Sequence, residues 1–179
     1  PNLLKDFVIG DGSISFATEG NLNKLKSKII FKNIDSNITY EGYFDVSNYS
    51  VNEFSGDLSI FSKNLLGFAE EGEIIYSSEI SKRNNILNIK NINIDLSNNK
   101  HLGNILINNQ DQDILAFQID FDSDALDIFT IRNIYNYFYE DFDRNIIGDL
   151  KLNSKLFTIN NFEIYDLNSQ LSFSEDSIN

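Results

Sequence analysis

Apolar and polar residues alternate one for one through most of this 179-residue chain, and its single proline is at position 1. A period of two is the mark of a β-strand with one covered and one wet face. From Ile38 the residues Ile38, Tyr40, Gly42, Phe44 and Val46 fall on one side, with Thr39, Glu41, Tyr43 and Asp45 on the other. The split recurs with Phe54, Leu58 and Ile60 against Ser55, Asp57 and Ser59, and with Ile92, Ile94 and Leu96 against Asn91, Asn93 and Asp95. It returns with Leu115, Phe117, Ile119 and Phe121 opposite Ala116, Gln118 and Asp120, and with Leu150 and Leu152 opposite Asp149 and Lys151. No internal proline interrupts ladder hydrogen bonding. The pattern predicts a mainly β, antiparallel fold with one solvated face, its strands near 13–18, 26–32, 37–46, 53–61, 73–80, 86–96, 102–108, 113–121, 147–153, 156–160, 162–167 and 170–174. Turn chemistry separates them at Glu19-Gly20-Asn21, Asp35-Ser36-Asn37, Asn98-Asn99 and Asn160-Asn161.

A cassette occurs twice. Phe54-Ser55-Gly56-Asp57-Leu58-Ser59-Ile60-Phe61-Ser62-Lys63 returns as Ile146-Ile147-Gly148-Asp149-Leu150-Lys151-Leu152-Asn153-Ser154-Lys155. Each copy reads as a Gly-started strand. The continuation rhymes as well: Ile89 to Leu96 resembles Ile159 to Leu167 with one residue inserted. Self-similarity of this kind marks a repeat architecture, with a first unit over 1–145 and a second opening at 146–179.

Two segments break the alternation. Asn64 to Glu70 is short and apolar, and reads as one or two helical turns. In Ala125 to Phe142 the residues Ile128, Ile131, Tyr135, Phe138 and Phe142 recur at steps of three and four. This predicts a helix near 124–142 with Asp124 as N-cap and Asp127 in its first turn.

A net charge of −13 and a pI near 4.3 exclude nucleic acid as a partner, because phosphate neutralisation needs clustered Lys and Arg. Without Cys there is no disulfide, thiolate nucleophile or Cys-ligated metal. The chain starts at Pro1 and holds no Met, which leads us to expect a piece of a longer protein whose targeting or anchoring element lies elsewhere.

Catalytic and metal chemistry find no support. His101, the only histidine, sits beside Leu102-Gly103 and reads as an exposed turn residue. Asp120-Phe121-Asp122-Ser123-Asp124 has the alternating carboxylates of a calcium loop, but Ala125 and Ile131 stand where that loop needs Gly and a bidentate Glu. Glu70-Glu71 reads as a solvated pair, and the aromatic and acidic cluster Tyr135, Tyr137, Tyr139, Glu140 and Asp141 as a helix end. No catalytic residue, metal or cofactor is expected. What remains is the apolar face, which must meet a second sheet, curl around itself, or be offered to something greasy. Its residues are Ile38, Tyr40, Phe44, Leu58, Ile60, Ile92, Ile94, Leu96, Phe117, Ile119, Leu150 and Leu152.

The order of elements resembles the repeat of the AsmA-like family, relatives of TamB. The resemblance is carried by Gly56-Asp57-Leu58-Ser59-Ile60, Asn64-Leu65-Leu66-Gly67-Phe68, Ile74 to Ile80, Ile92-Asn93-Ile94-Asp95-Leu96, Leu102-Gly103-Asn104-Ile105-Leu106-Ile107 and Phe121 to Ile128, with a second unit opening at Gly148-Asp149-Leu150. It implies a curved, open β-groove built from repeated units, with one or two short helices. It also implies a periplasmic location in a parent anchored to the inner membrane, and a non-enzymatic role in which phospholipid acyl chains are bound or conducted along the groove during outer-membrane biogenesis. The twelve face residues would then be the lipid contacts, and the parent would meet the membrane through parts outside this chain. The alternative is a structural or adhesive β-repeat stalk of a secreted surface protein.

Overall fold

The computed structural model describes residues 12–47, 50–63, 73–96, 99–109, 114–128, 145–174 and 177–178. They form one sheet whose strands follow each other in chain order: β1 (Ser13–Asn21), β2 (Lys24–Lys32), β3 (Ser36–Ser47), β4 (Ser50–Ser62), β5 (Ile74–Arg83), β6 (Ile86–Leu96), β7 (Asn99–Asn108), β8 (Ile114–Asp127), β9 (Asn145–Ile159), β10 (Phe162–Ser174) and β11 (Ser177–Ile178). All neighbours pair antiparallel except β8 and β9, which are parallel, with Asn145 brought back beside Ile114. The sheet is open and curved, with β1 and β11 at its ends. Among the described elements, strands pack against their sheet neighbours and no second layer is present.

Short polar turns set this sequential order. Asn84 and Asn85 both take positive φ, 47° and 64°, the left-handed pair that matches the twist of a two-residue hairpin. Asn160 does the same at the β9–β10 turn, with φ 53°. At the first hairpin the Lys24 backbone N–H donates to Asn21 Oδ1 at 3.1 Å. Irregular registers bend the sheet further. Asn91, with φ 52°, is an extra residue in β6, since Ile89 pairs with Ile105 and Ile92 with Gly103. Its N–H donates to Asn104 Oδ1 and its side-chain amide to Glu79 Oε1, so the bulge is held from both neighbouring strands.

Several expectations change. The strands expected at 147–153 and 156–160 are one strand, β9, because Ser154-Lys155 has no turn chemistry and Ser154 Oγ donates to the Leu156 carbonyl within it. Likewise 162–167 and 170–174 merge into β10. Gly56 and Gly148 lie inside β4 and β9 rather than at their starts. The rhyming tails are not equivalent either: Ile92 to Leu96 lies in β6, two strands from β4, whereas Phe162 to Leu167 lies in β10 beside β9. Asp124 is not an N-cap, because β8 runs on to Asp127, so the expected helix does not start at 125. There Asp124 accepts instead from the Lys100 backbone N–H and from Lys155, two partners that only a strand presents. The rest of that expected helix, the tyrosine cluster it carries and the helical turns expected over 64–70 lie outside the described residues.

Candidate functional site

Residues opposite each other in neighbouring strands point to the same side of a sheet, so the register sorts every described strand residue onto one of two faces. One row runs Ile14, Phe31, Ile38, Ile60, Tyr76, Ile94, His101, Ser123, Ser154 and Leu167. The next runs Phe16, Ile29, Tyr40, Leu58 and Ser78, then beyond the bulge Ile92, Gly103, Phe121 and Leu152. A third holds Gly42, Gly56, Ile80, Ile89, Ile105, Ile119, Leu150 and Leu171, and a fourth Leu25, Phe44, Phe54, Lys82, Leu87, Ile107, Phe117 and Gly148. Ser36, Ser62, Ile74 and Leu96 form a shorter row at one end. All twelve residues expected on the apolar face share this one face.

Burial distinguishes the two faces. Ser27, Ser36, Ser62, Ile74, Ser78, Ile92, His101, Leu115, Ser123 and Ser154 are buried and lie on the apolar face, with Leu126 and Phe157 as exceptions on the other. Burial is thus concentrated on the apolar face, called the inner face from here on, and the polar face is called the outer one. The outer face carries charge ladders, including Lys28 to Glu41 at 2.8 Å, Lys155 to Asp124 at 2.6 Å and Asn153 to Asp122 at 2.6 Å. Those bonds hold the Glu41 and Asp124 carboxyls below their ordinary range, through Lys28 and Lys155 respectively. Asp120, Asp122 and Asp124 are therefore outer-face strand residues, and no group of three metal-ligating side chains occurs among the described residues.

The inner face contains polar atoms, but it satisfies them itself. Ser36 and Ser62 hydroxyls meet at 3.0 Å, Tyr76 O–H donates to Ser78 Oγ at 2.8 Å, and Ser123 and Ser154 donate to the Ala125 and Leu156 carbonyls at 2.9 and 2.6 Å. With Ser123 Oγ committed as donor to Ala125, its 2.7 Å contact with His101 Nδ1 is an acceptor contact, which places the imidazole proton on Nδ1. His101 is thus a buried strand residue, 6 % exposed and stacked on Phe121 at 5.8 Å, and not an exposed turn histidine. Burial holds its pKa below the ordinary value, against the pull of Asp124 and Asp95. Burial also raises the Tyr76 phenol, and the Tyr40 phenol with help from Asp57. All three groups are driven to their neutral forms.

Glycines leave room for rings on this face. A Cβ at Gly103 would come within 2.9 Å of the Phe121 ring, and one at Gly148 within 3.0 Å of Phe117. Tyr40 lies over Gly42, which pairs with Gly56, and packs on Phe44 at 5.1 Å, with Phe54 beyond at 6.2 Å. Aromatic rings covering cross-strand glycines supply the apolar surface that glycine lacks.

The buried serines and His101 escaped sequence reasoning, yet a signal was there. Ser27, Ser78 and Ser154 stand in phase with apolar neighbours, as in Leu25-Lys26-Ser27-Lys28-Ile29. The hydroxyls of Ser27, Ser78 and Ser154 are each engaged by the fold. No protein-family model matches the chain, and no curated protein or solved structure is significantly similar to it.

Proposed function

We propose that this chain is a segment of an AsmA-like periplasmic protein, its parent anchored in the inner membrane, and that its inner face binds or conducts phospholipid acyl chains in outer-membrane biogenesis without catalysis. The observation that carries the reading is the apolar surface of the inner rows from β3 to β9, which holds one charged side chain, Lys82 at one end, among the described residues. Seven strands at about 4.8 Å spacing span roughly 29 Å, about twice the depth of one bilayer leaflet, so a tail can lie wholly within it. Each CH₂ removed from water stabilises the bound chain by about 0.8 kcal/mol. A sixteen-carbon tail half covered by the trough gains on the order of 6 kcal/mol. Self-satisfied hydroxyls and neutral His101, Tyr40 and Tyr76 keep the desolvation penalty of the rows they occupy small.

The test is chemical. Solvent extraction of the purified protein followed by mass spectrometry is expected to return phospholipid. A photo-crosslinker at Ile94, on the inner face, is expected to label lipid, and one at the adjacent Asn93 to stay unlabelled. A protein that carries no lipid and labels equally at both positions would overturn the reading.

A further inference from the structure

Among the described residues, one rim of the inner face carries a cation. Lys82 stands on this face, opposite Phe54 of β4 and Leu87 of β6, two residues before the Asn84–Asn85 turn. Among the described residues it is the one cation there. Between the rims the rows hold no formal charge. Lys82 is half-buried and has no carboxylate partner among the described residues, whereas the adjacent outer-face Arg83 is engaged by Glu53 at 3.5 Å. With Phe54 and Leu87 on either side of it, the Lys82 stem can cover apolar surface while its head reaches the rim.

We propose that Lys82 is the headgroup anchor of the groove: it receives the phosphate of a phospholipid whose tails lie on the apolar rows, with the headgroup at the Asn84–Asn85 rim. This rests on the acyl-binding reading above and adds an orientation and a headgroup chemistry to it. Charge complementarity selects the rim, because Lys82 is the one inner-face cation among the described residues. From Lys82 to Ile74, along β5, is about 27 Å at 3.4 Å per residue, so tails fit along the strand. The net charge of −13 does not oppose this at close range, since charges further than about 8 Å are screened at physiological salt.

Two probes with identical tails separate the ideas: dioleoylphosphatidylglycerol, which has a phosphate, and dioleoylglycerol, which has none. Each displaces pyrene-labelled diacylglycerol from the purified chain. The wild type is expected to bind the phospholipid roughly fivefold more tightly, the increment of one partly exposed ion pair. Lys82→Ala and Lys82→Gln are expected to abolish that preference with diacylglycerol affinity unchanged, Lys82→Arg to keep it, and the outer-face control Lys151→Ala to leave it intact. Equal wild-type affinity for the two probes, or a preference surviving in both Lys82→Ala and Lys82→Gln, would overturn the anchor and leave acyl binding standing. A wild type that binds neither probe would overturn both. Gln and Arg keep the side-chain stem, so a misfolded Ala variant does not remove the test.

Discussion

Ile92 and Ile75 are the same side chain on opposite faces of neighbouring strands, 4 % and 53 % exposed, and truncating each to alanine measures how one-sided the stability of this sheet is. Ile→Ala removes three saturated carbons, worth roughly 2.4 kcal/mol at about 0.8 kcal/mol each when the side chain is withdrawn from water. Ile92 is withdrawn almost completely and should lose that full amount. Enclosed sites lose up to about 5 kcal/mol because a cavity remains. No second layer closes over Ile92 among the described elements, so the cavity contribution is absent. Ile75 keeps about half its surface in water and should lose about 1.2 kcal/mol. For a chain of this size each kcal/mol moves Tm by roughly 2–4 °C, which predicts a fall of about 5–10 °C for Ile92→Ala and about 2–5 °C for Ile75→Ala. Urea unfolding followed by far-UV circular dichroism, analysed with a common slope, gives the two free energies directly. Equal losses would refute the inner and outer assignment. A loss for Ile92→Ala well above about 4 kcal/mol would mean an enclosed cavity, and hence a covered face.

Two further outcomes follow from the same geometry. Because burial depresses the His101 pKa, the unfolded chain binds more protons than the folded one between the two pKa values; the stabilisation is complete above the ordinary value of 6.5 and is lost as pH falls from there through the folded value. Urea titrations from pH 7.5 to 5 should show that decline in the wild type and a flatter profile in His101→Gln, and identical slopes would refute the assignment. Gly148→Ala is expected to destabilise by about 1–3 kcal/mol, since its φ of 149° disfavours a side chain and a Cβ would overlap the Phe117 carbonyl oxygen; a neutral result in thermal unfolding would show that β8 and β9 are not held in this parallel register.

Sequence pattern was a reliable guide where one rule acted alone. From β2 to β8 each strand was legible, because apolar alternation and Asn- or Gly-rich turns agree. It failed where a second interaction decided. Asp120 to Asp127 carries both a strand alternation and an N-cap signature, and the strand prevailed because β7 and β9 flank it on both sides, giving Asp124 the Lys100 N–H and Lys155 as partners. His101 looked exposed beside Leu102-Gly103, since a histidine in phase with Gly103, Ile105 and Ile107 is recognisable as inward only once β7 is known to begin at Asn99.

By itself the sequence determined which side most strand residues face, because a period of two fixes the sides wherever no bulge intervenes; at the Asn91 bulge Ile89 and Ile92, three residues apart, share a side. That is why the twelve expected residues share one face, and why the two Gly-Asp-Leu cassettes each turn Gly and Leu inward and Asp outward. The tertiary structure alone decided what lies beside what. Register across strands aligned His101 with Ser123 and Ser154, set Phe121 over Gly103 and Phe117 over Gly148, and left Lys82 at one rim. Alternation is a property of one strand. Neighbours, burial and the polarity of the groove arise only when hydrogen bonding brings many strands into a common register.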